Sequence, residues 1–395
     1  MKVAAYPLLL PECPLTIKRD MYYAEVLVPQ LIAGLGVVGE TNEAWDWLLV
    51  PHCATHVYHS CVFDSLGNGK QRNTDECKEV AAQHVQQSVN KISSLWPYWN
   101  SSEGSDHLFV FSWDQASEVL GWDSPIRSHI SKAVHLTTLG STNPSVLPNF
   151  DYAKDIVIPT YSQFTHAFDI YPALPFYHSS NIIPFSRILK ALFDGWKWIH
   201  LNTSPKLPLI SSIDPGWAFK SRPIFAYFRG TIIEDYRYSF GVRQYLRELG
   251  NSLPERYYVK DRHTSIENYW QELGNSRFCL CPSGWSPWSP RLFDCIVALS
   301  IPVVFADDIV FPFESQIPYN SFVIRINNRD MGNLDSVLRQ ISEVDVVRRQ
   351  REMLKIRHKL VWPASATDAK ENALKSLLNE LDRKSKGSGD KRIDL

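Results

Sequence analysis

The sequence predicts an α/β protein built as two halves, each with a mostly parallel sheet. Short, wholly apolar runs such as Leu108–Phe111, Pro223–Phe228, Phe278–Cys281 and Pro302–Phe305 alternate with stretches of helical apolar spacing. Strands covered by helices on both faces require runs of that kind. The chain has 395 residues, more than one hydrophobic core usually holds. A Pro/Ser-rich stretch, 202–217, stands between the two sets of runs and reads as a linker or extended loop.

In chain order, 1–6 reads as an opening strand and 21–35 as a helix that Pro29 would kink or shorten. Trp45–Pro51 is a strand closed by proline. The segment 51–73 carries His52, His56 and His59 near Cys53 and Cys61, but its proline and β-branched residues do not predict a helix. A zinc site on helically spaced histidines and plain loop histidines are both open there. A helix over 79–96 leads into a polar, aromatic loop, 96–107, and then the strand 108–111. Asp106 and His107 are expected to hold that loop by hydrogen bonds. Strands follow at 133–136 and 154–159, then an aromatic loop, 160–180, and helical segments over 183–198. The second half reads as strand 223–228, helix 238–249, strand 257–260, helix 266–273, strand 278–281, helix 291–299, strand 302–305 and strand 321–326. Helices over 334–341, 344–361 and 368–381 close the chain, the last with Thr367 as its N-cap. Residues 384–395 are polar and expected to be disordered.

A net charge of −1 gives no general electrostatic case for nucleic acid or an anionic membrane surface. No run of eighteen apolar residues occurs and Met1–Leu10 lacks the layout of a signal peptide, so neither anchor nor leader is expected. Seven cysteines leave at least one free thiol in a monomer, and no pairing follows from their spacing. Cys279 and Cys281, two apart in a strand, are expected as buried thiols. Asn100 and Asn202 begin sequons usable in a secretory compartment.

The chemistry concentrates in Arg277–Asp308, which reads as strand, Gly/Ser/Pro/Trp loop, helix and strand. Ser289 is expected as N-cap and Pro290 as the first helical residue. A helix N-terminus past a strand end suits a phosphate, and Arg291 in its first turn adds a forked cation. Arg229-Gly230, after the strand 223–228, offers a second cation and a close backbone approach. Arg243 either reaches the same pocket or lies on a solvated helix face. Asp114 lies just past the carboxyl end of the strand 108–111, where ligands bind in open α/β sheets. It is either a catalytic base or a helix N-cap. No G-x-x-x-x-G-K-S/T loop and no G-x-G-x-x-G after a strand are present, which argues against an ATPase and a dinucleotide dehydrogenase. The nearest thing to a metal-binding acid pair is Asp307-Asp308, for which a turn or cap is an equal reading.

Three blocks in order resemble the exostosin family, glycosyltransferase family 47, and within it the plant enzymes that build the xylan backbone. They are Trp96-Pro-Tyr-Trp-Asn with Gly104-Ser-Asp-His-Leu-Phe-Val-Phe, Pro223-Ile-Phe-Ala-Tyr-Phe-Arg-Gly-Thr, and Phe278-Cys-Leu-Cys-Pro through Gly-Trp-Ser-Pro-Trp-Ser-Pro-Arg to Asp-Asp-Ile-Val-Phe-Pro-Phe313. The resemblance covers roughly 20–380. Where plant members carry Pro-His-Asp-Phe-Gly, this chain has Ser112-Trp-Asp-Gln-Ala, and Asp294 stands in place of their Glu.

The resemblance implies a GT-B fold, two Rossmann-like domains facing across a cleft: 1–180 for the acceptor, 181–345 for the nucleotide sugar, 346–383 as helices packing back, and 384–395 as tail. It implies an inverting enzyme that moves a sugar from a UDP-sugar, UDP-xylose first, to a growing polysaccharide such as β-1,4-xylan. The alternatives are UDP-glucuronate, UDP-galactose or UDP-arabinose as donor, or a non-catalytic partner in a synthase complex. Asp114 is then the base. Arg229, Gly230, Arg243, Ser283, Gly284, Ser289, Arg291 and the amides at 289–292 hold the donor diphosphate, with Asp294 on the ribose. Trp99, Trp285 and Trp288 are the candidates for stacking on sugar rings. No cofactor or metal is expected. The expected partners are the UDP-sugar, a saccharide acceptor and a homo- or hetero-oligomer with other glycosyltransferases, in the Golgi lumen.

Overall fold

The computed structural model describes residues 1–7, 21–39, 44–67, 74–161, 222–261, 264–368 and 370–389. The first half contains β1 (Val3–Ala5), α1 (Ala24–Ala33), β2 (Trp47–Leu49), α2 (Ala54–Gly67), α3 (Thr74–Leu95), α4 (Tyr98–Ser102), β3 (His107–Phe111), α5 (Pro125–His129), β4 (Val134–Thr137), β5 (Gly140–Ser141) and β6 (Ile156–Val157). The second contains β7 (Ile224–Arg229), α6 (Val242–Ser252), β8 (Tyr257–Lys260), α7 (Ile266–Gly274), β9 (Ser276–Pro282), α8 (Arg291–Val297), β10 (Ile301–Phe305), β11 (Ile309–Val310), β12 (Ile324–Arg325), α9 (Leu334–Arg339), α10 (Glu343–Ile356) and α11 (Ala373–Gly389).

Two five-stranded sheets result, ordered β1-β2-β3-β4-β6 and β12-β10-β9-β7-β8, and every pairing inside them is parallel. Parallel neighbours need a crossover, and the intervening helices supply it. The two units form the α/β architecture, two halves each with a parallel sheet, that the apolar runs predict. Both faces of the central strands are covered, so Phe109, Phe111, Tyr227, Phe228, Phe278 and Phe305 are all essentially inaccessible. Helix starts are set locally. Ser265 and Ser342 each accept the backbone N–H three residues on, capping α7 and α10 at about 1 kcal/mol each.

The halves are tied through the main chain. β5 pairs antiparallel with β11, Ser141 against Ile309 and Gly140 against Val310. The Trp362 indole donates to Pro159 O at 2.9 Å, and Trp47 donates to Leu381 O at 3.3 Å, so the C-terminal helix returns to the first sheet. At the amino end of β3, Asp106 and His107 do hold their loop. Asp106 lies 2.5 Å from His107 Nδ1 and accepts from the Ser102 hydroxyl at 2.5 Å, and Tyr6 meets His107 Nε2 at 2.7 Å.

Several expectations are corrected. Residues 54–67 form a helix, with His56 and His59 along it; the proline precedes its first turn and does not interrupt it. α1 is shorter than 21–35, Ala24–Ala33, with Pro29 inside it, and the loop 96–107 contains the short helix α4. The last helix starts at Ala373 and not near 368. Asn372 Oδ1 accepts from Lys375 N at 3.0 Å and supplies the cap assigned to Thr367. That helix continues to Gly389, past Lys384, where disorder was expected to begin. The expectations for 162–221, including the aromatic loop, the helical segments, the linker and the Asn202 sequon, lie outside the described residues.

Candidate active site

β7 and β9 are neighbours, so their carboxyl ends, Arg229-Gly230 and Ser283-Gly284, open onto one edge of the second sheet. Consecutive strand residues point to opposite faces. Phe228 therefore faces one way and Arg229 the other, and this parity decides which arginines meet.

Two guanidiniums lie over the Phe228 ring: Arg291 at 4.8 Å and Arg243 at 5.5 Å from its centroid. Arg243 enters from the first turn of α6. Its Nε donates to Ser283 O at 2.9 Å, and its Nη1 donates to Thr231 O at 2.8 Å and to the Tyr238 hydroxyl at 2.6 Å. It thus stitches the loops after β7 and β9 together, and the solvated-face reading of Arg243 falls. Arg291 enters from the start of α8, and its Nε is buried with no hydrogen-bond partner. A Cβ on Gly230 would lie 2.8 Å from Arg291 Nη2, so this glycine gives the guanidinium its room. Among the described residues no carboxylate lies within ion-pair distance of either arginine. Burial first, and the Arg291 charge as a smaller cause, lower Arg243 to about 10 against the pull of Tyr238, so it stays charged at neutral pH. Two guanidiniums on one ring, neither ion-paired to a carboxylate, have the chemistry to hold an anion.

Asp294 follows on α8, with Oδ2 accepting from the Tyr269 hydroxyl at 2.9 Å. Burial pushes its carboxyl up to about 6, while that hydrogen bond and the Arg291 charge pull the other way. The three buried sulfurs beside it are Cys279, Cys281 and Cys295. Cys279, expected as a thiol, is disulfide-bonded to Cys295, because strand residues two apart both face α8; Cys281 is the free, buried one.

Arg229 does not join this site. Its Nε and Nη2 donate to the two Glu272 oxygens at 2.7 and 2.6 Å, and the Tyr227 and Tyr258 hydroxyls donate to the same carboxylate at 3.0 and 2.8 Å. The hydrogen bonds and charge of Glu272 push the guanidinium up, and those donors hold Glu272 below the ordinary carboxylate range against burial. The amides at 289–292 are also largely spent. Ser289 Oγ and O accept from Arg291 N and Leu292 N at 3.3 and 3.2 Å. The helix starts at Arg291, as the range 291–299 expected, but Pro290 and not Ser289 takes the cap position. The Ser283 hydroxyl donates to Phe305 O at 3.0 Å, and Gly284 O accepts from Ser239 N at 2.8 Å. Ser283, Gly284 and Ser289 therefore build the loop that seats the arginines.

On the first sheet, Asp114 sits half-buried past the end of β3, and Tyr22 donates to its Oδ1 at 3.0 Å. Burial raises its carboxyl above the ordinary value. The cap reading fails, because the helical turn Ala116–Leu120 starts after Gln115 and has no side-chain cap. Three residues beyond Tyr22, the fully buried Glu25 accepts from Thr55 N at 2.8 Å and Thr55 Oγ1 at 2.7 Å. Burial pushes Glu25 up to about 8 against those hydrogen bonds. Sequence reasoning passed over Glu25; its one signal is an acid within the apolar stripe of 21–35.

The histidines of 52–59 do not converge on one point. His52 packs on Phe109 and Phe111, His56 meets Tyr22 O, and His59 stacks on Tyr22. Trp99 and Trp288 are 4% and 8% exposed and belong to the core, so neither can stack on a sugar; Trp285 is 56% exposed.

The Exostosin GT47 domain matches residues 14–341 of the chain. A probable glucuronosyltransferase of Oryza sativa subsp. japonica is 27% identical over 379 residues, 93% of this chain and 72% of that protein. A probable beta-1,4-xylosyltransferase of Arabidopsis thaliana is 27% identical over 381 residues, 93% of this chain and 76% of that protein. A probable glucuronosyltransferase of Physcomitrium patens is 28% identical over 355 residues, 87% of this chain and 65% of that protein.

Proposed function

The chain belongs to the exostosin GT47 family, and from that premise we propose an inverting transferase that moves a sugar from a UDP-sugar to a saccharide acceptor. The observation that carries the reading is the pair Arg243 and Arg291 on Phe228, with no carboxylate to neutralise them and Gly230 leaving space beside them. An acceptor hydroxyl attacks the anomeric carbon, the bond to the diphosphate breaks, and the hydroxyl proton passes to Asp114. Burial of Asp114 strengthens it as a base. UDP departs with its new charge facing the two guanidiniums, which in this reading do the work of a metal ion. Asp294, pre-oriented by Tyr269, accepts the ribose hydroxyls.

Xylose is the sugar we assign first and β-1,4-xylan the first acceptor, in line with the Arabidopsis relative's name; the rice and moss relatives make glucuronate the second. The disulfides Cys61–Cys77 and Cys279–Cys295 suit an oxidising compartment, here the Golgi lumen. No described helix is long and apolar enough to cross a membrane.

The test is transfer from UDP-xylose, UDP-glucuronate, UDP-galactose and UDP-arabinose to xylo-oligosaccharides, read by mass, with Asp114→Asn alongside. We expect one donor to dominate, and Asp114→Asn to abolish transfer while retaining UDP. Failure of every donor, with UDP binding indifferent to Arg243 and Arg291, would defeat the proposal.

A further inference from the structure

Five aromatic side chains are strongly exposed among the described residues, and three of them, Tyr236, Phe240 and Trp285, are carried by the two loops that seat the arginine pair. The loops are joined at Ser239 N to Gly284 O, 2.8 Å, one residue before Phe240 and Trp285. Phe240 is 51% exposed, and its backbone is held there at a cost. Ser239, Phe240 and Gly241 have successive φ values of 65°, 52° and 80°, a left-handed run that non-glycine residues avoid. Trp285 packs edge-on against Tyr238, with centroids 5.1 Å apart, and keeps the rest of its ring in solvent. Tyr238 in turn lies under the Arg243 guanidinium, 4.6 Å from its ring centroid.

Contacts therefore run in sequence: Arg291 and Arg243 across Phe228, Arg243 to Tyr238, and Tyr238 to Trp285, while Asp294, bonded to Tyr269, follows Arg291 by three residues on α8. A nucleotide sugar has its parts in a matching order: ribose, diphosphate, sugar. With the ribose at Asp294 and the diphosphate on the arginines, the aromatic end is where the transferred sugar meets its acceptor. We infer that Trp285 and Phe240, flanked by Tyr236, form a shelf on which a neutral β-linked oligosaccharide acceptor stacks its pyranose faces. The second half then binds acceptor as well as donor. This rests on the donor reading above.

The test uses the full chain with Trp285→Ala, Phe240→Ala and Trp285→Phe. Calorimetry gives the UDP Kd, donor-free titration with xylo-oligosaccharides of increasing length gives glycan affinity, and transfer gives the acceptor KM. Each alanine variant is expected to weaken glycan affinity and raise acceptor KM roughly tenfold, with Trp285→Phe recovering most of it. The UDP Kd should stay within about twofold. A weakened UDP Kd with unchanged glycan affinity would assign the shelf to the base, and unchanged values in both would remove the shelf altogether. Either result overturns the inference. If the wild-type chain binds no UDP, the donor reading fails separately, because glycan titration needs no donor.

Discussion

Replacing Arg291 by alanine separates binding from folding, and Arg229→Ala is its mirror image. The two guanidiniums lie 4.8 and 5.5 Å from one ring centroid, so they are no farther apart than about 10 Å. At an effective dielectric of ~20 that is a mutual repulsion of ~1.5 kcal/mol or more. A diphosphate between them turns this cost into attraction. Loss of one guanidinium removes one or two charge-assisted hydrogen bonds at ~1.5–3 kcal/mol each, partly offset by the vanished repulsion. A net ~2–3 kcal/mol weakens the UDP Kd about 30- to 150-fold. Among the described residues Arg291 has no side-chain hydrogen bond or ion pair to lose, and its lost ring contact, ~0.5–1 kcal/mol, is opposed by the relieved repulsion, so Arg291→Ala should melt within a few degrees of wild type. Arg229→Ala strands Glu272, which is only 17% exposed and keeps two tyrosine hydroxyls but no cation. That should cost about 2–3 kcal/mol, somewhat below a fully buried pair, and leave the UDP Kd unchanged. Calorimetric titration with UDP and thermal melts of both variants give all four numbers. If Arg229→Ala weakens UDP as much as Arg291→Ala does, the assignment of the arginines by strand parity is wrong.

Three further outcomes are expected. Gly230→Ala should fold normally but swing Arg291 aside and weaken UDP about tenfold, seen by calorimetry beside an unchanged circular dichroism spectrum. Asp294 holds its proton to about 6 in the fold against 3.8 ordinarily, so between these values the native state binds more protons than the unfolded. Stability therefore falls as pH rises through that window, by at most ~3 kcal/mol, while UDP affinity rises as the carboxylate forms. Asp294→Asn should flatten both profiles, measured by urea unfolding and UDP titration at pH 4.5 and 7.5. Glu25 behaves likewise between 4.5 and about 8: stability should decline across that range in the wild type, and Glu25→Gln, which keeps an acceptor for Thr55, should lose that decline.

What the sequence made legible follows from where each signal is stored. Buried parallel strands are apolar on both faces, so Tyr257–Lys260 reads correctly to the residue, and β7, β9 and β10 to within two. The same two-sided burial hides side-chain direction. Nothing local says that Phe228 faces Arg243 and Arg291 while Arg229 faces α7, so Arg229 was grouped with the other two arginines and Arg243 was left between a pocket and a solvated face. Glu25 was passed over because its partners lie 30 residues downstream, at Thr55. The two-residue strands at 140–141 and 309–310 have no local signal, since each exists only because the other is there.

That last pair governs how the site is assembled. Asp114 belongs to the first sheet and the arginines to the second, so any reaction between them depends on the link between the sheets. Asp308, considered as half of a metal-binding acid pair, is part of that link. It sits at φ 58°, its carbonyl accepts from Thr142 N at 2.9 Å, and its carboxylate accepts from Asn143 Nδ2 at 3.2 Å. Asp307 accepts from Asn328 N at 3.2 Å within the second half. Both acids thus make long-range contacts, Asp308 to the first half and Asp307 to Asn328, and not the turn or cap bonds of the alternative reading. Gly140 marks the crossing point, where a Cβ would collide with Val157 and lie 2.9 Å from Phe150 Cζ and 3.0 Å from Val310 Cβ. A left-handed aspartate and an obligatory glycine both cost conformational freedom. They recur where the strands of the two halves touch, so the placement of Asp114 relative to Arg243 and Arg291 is set by main-chain pairing and not by side chains alone.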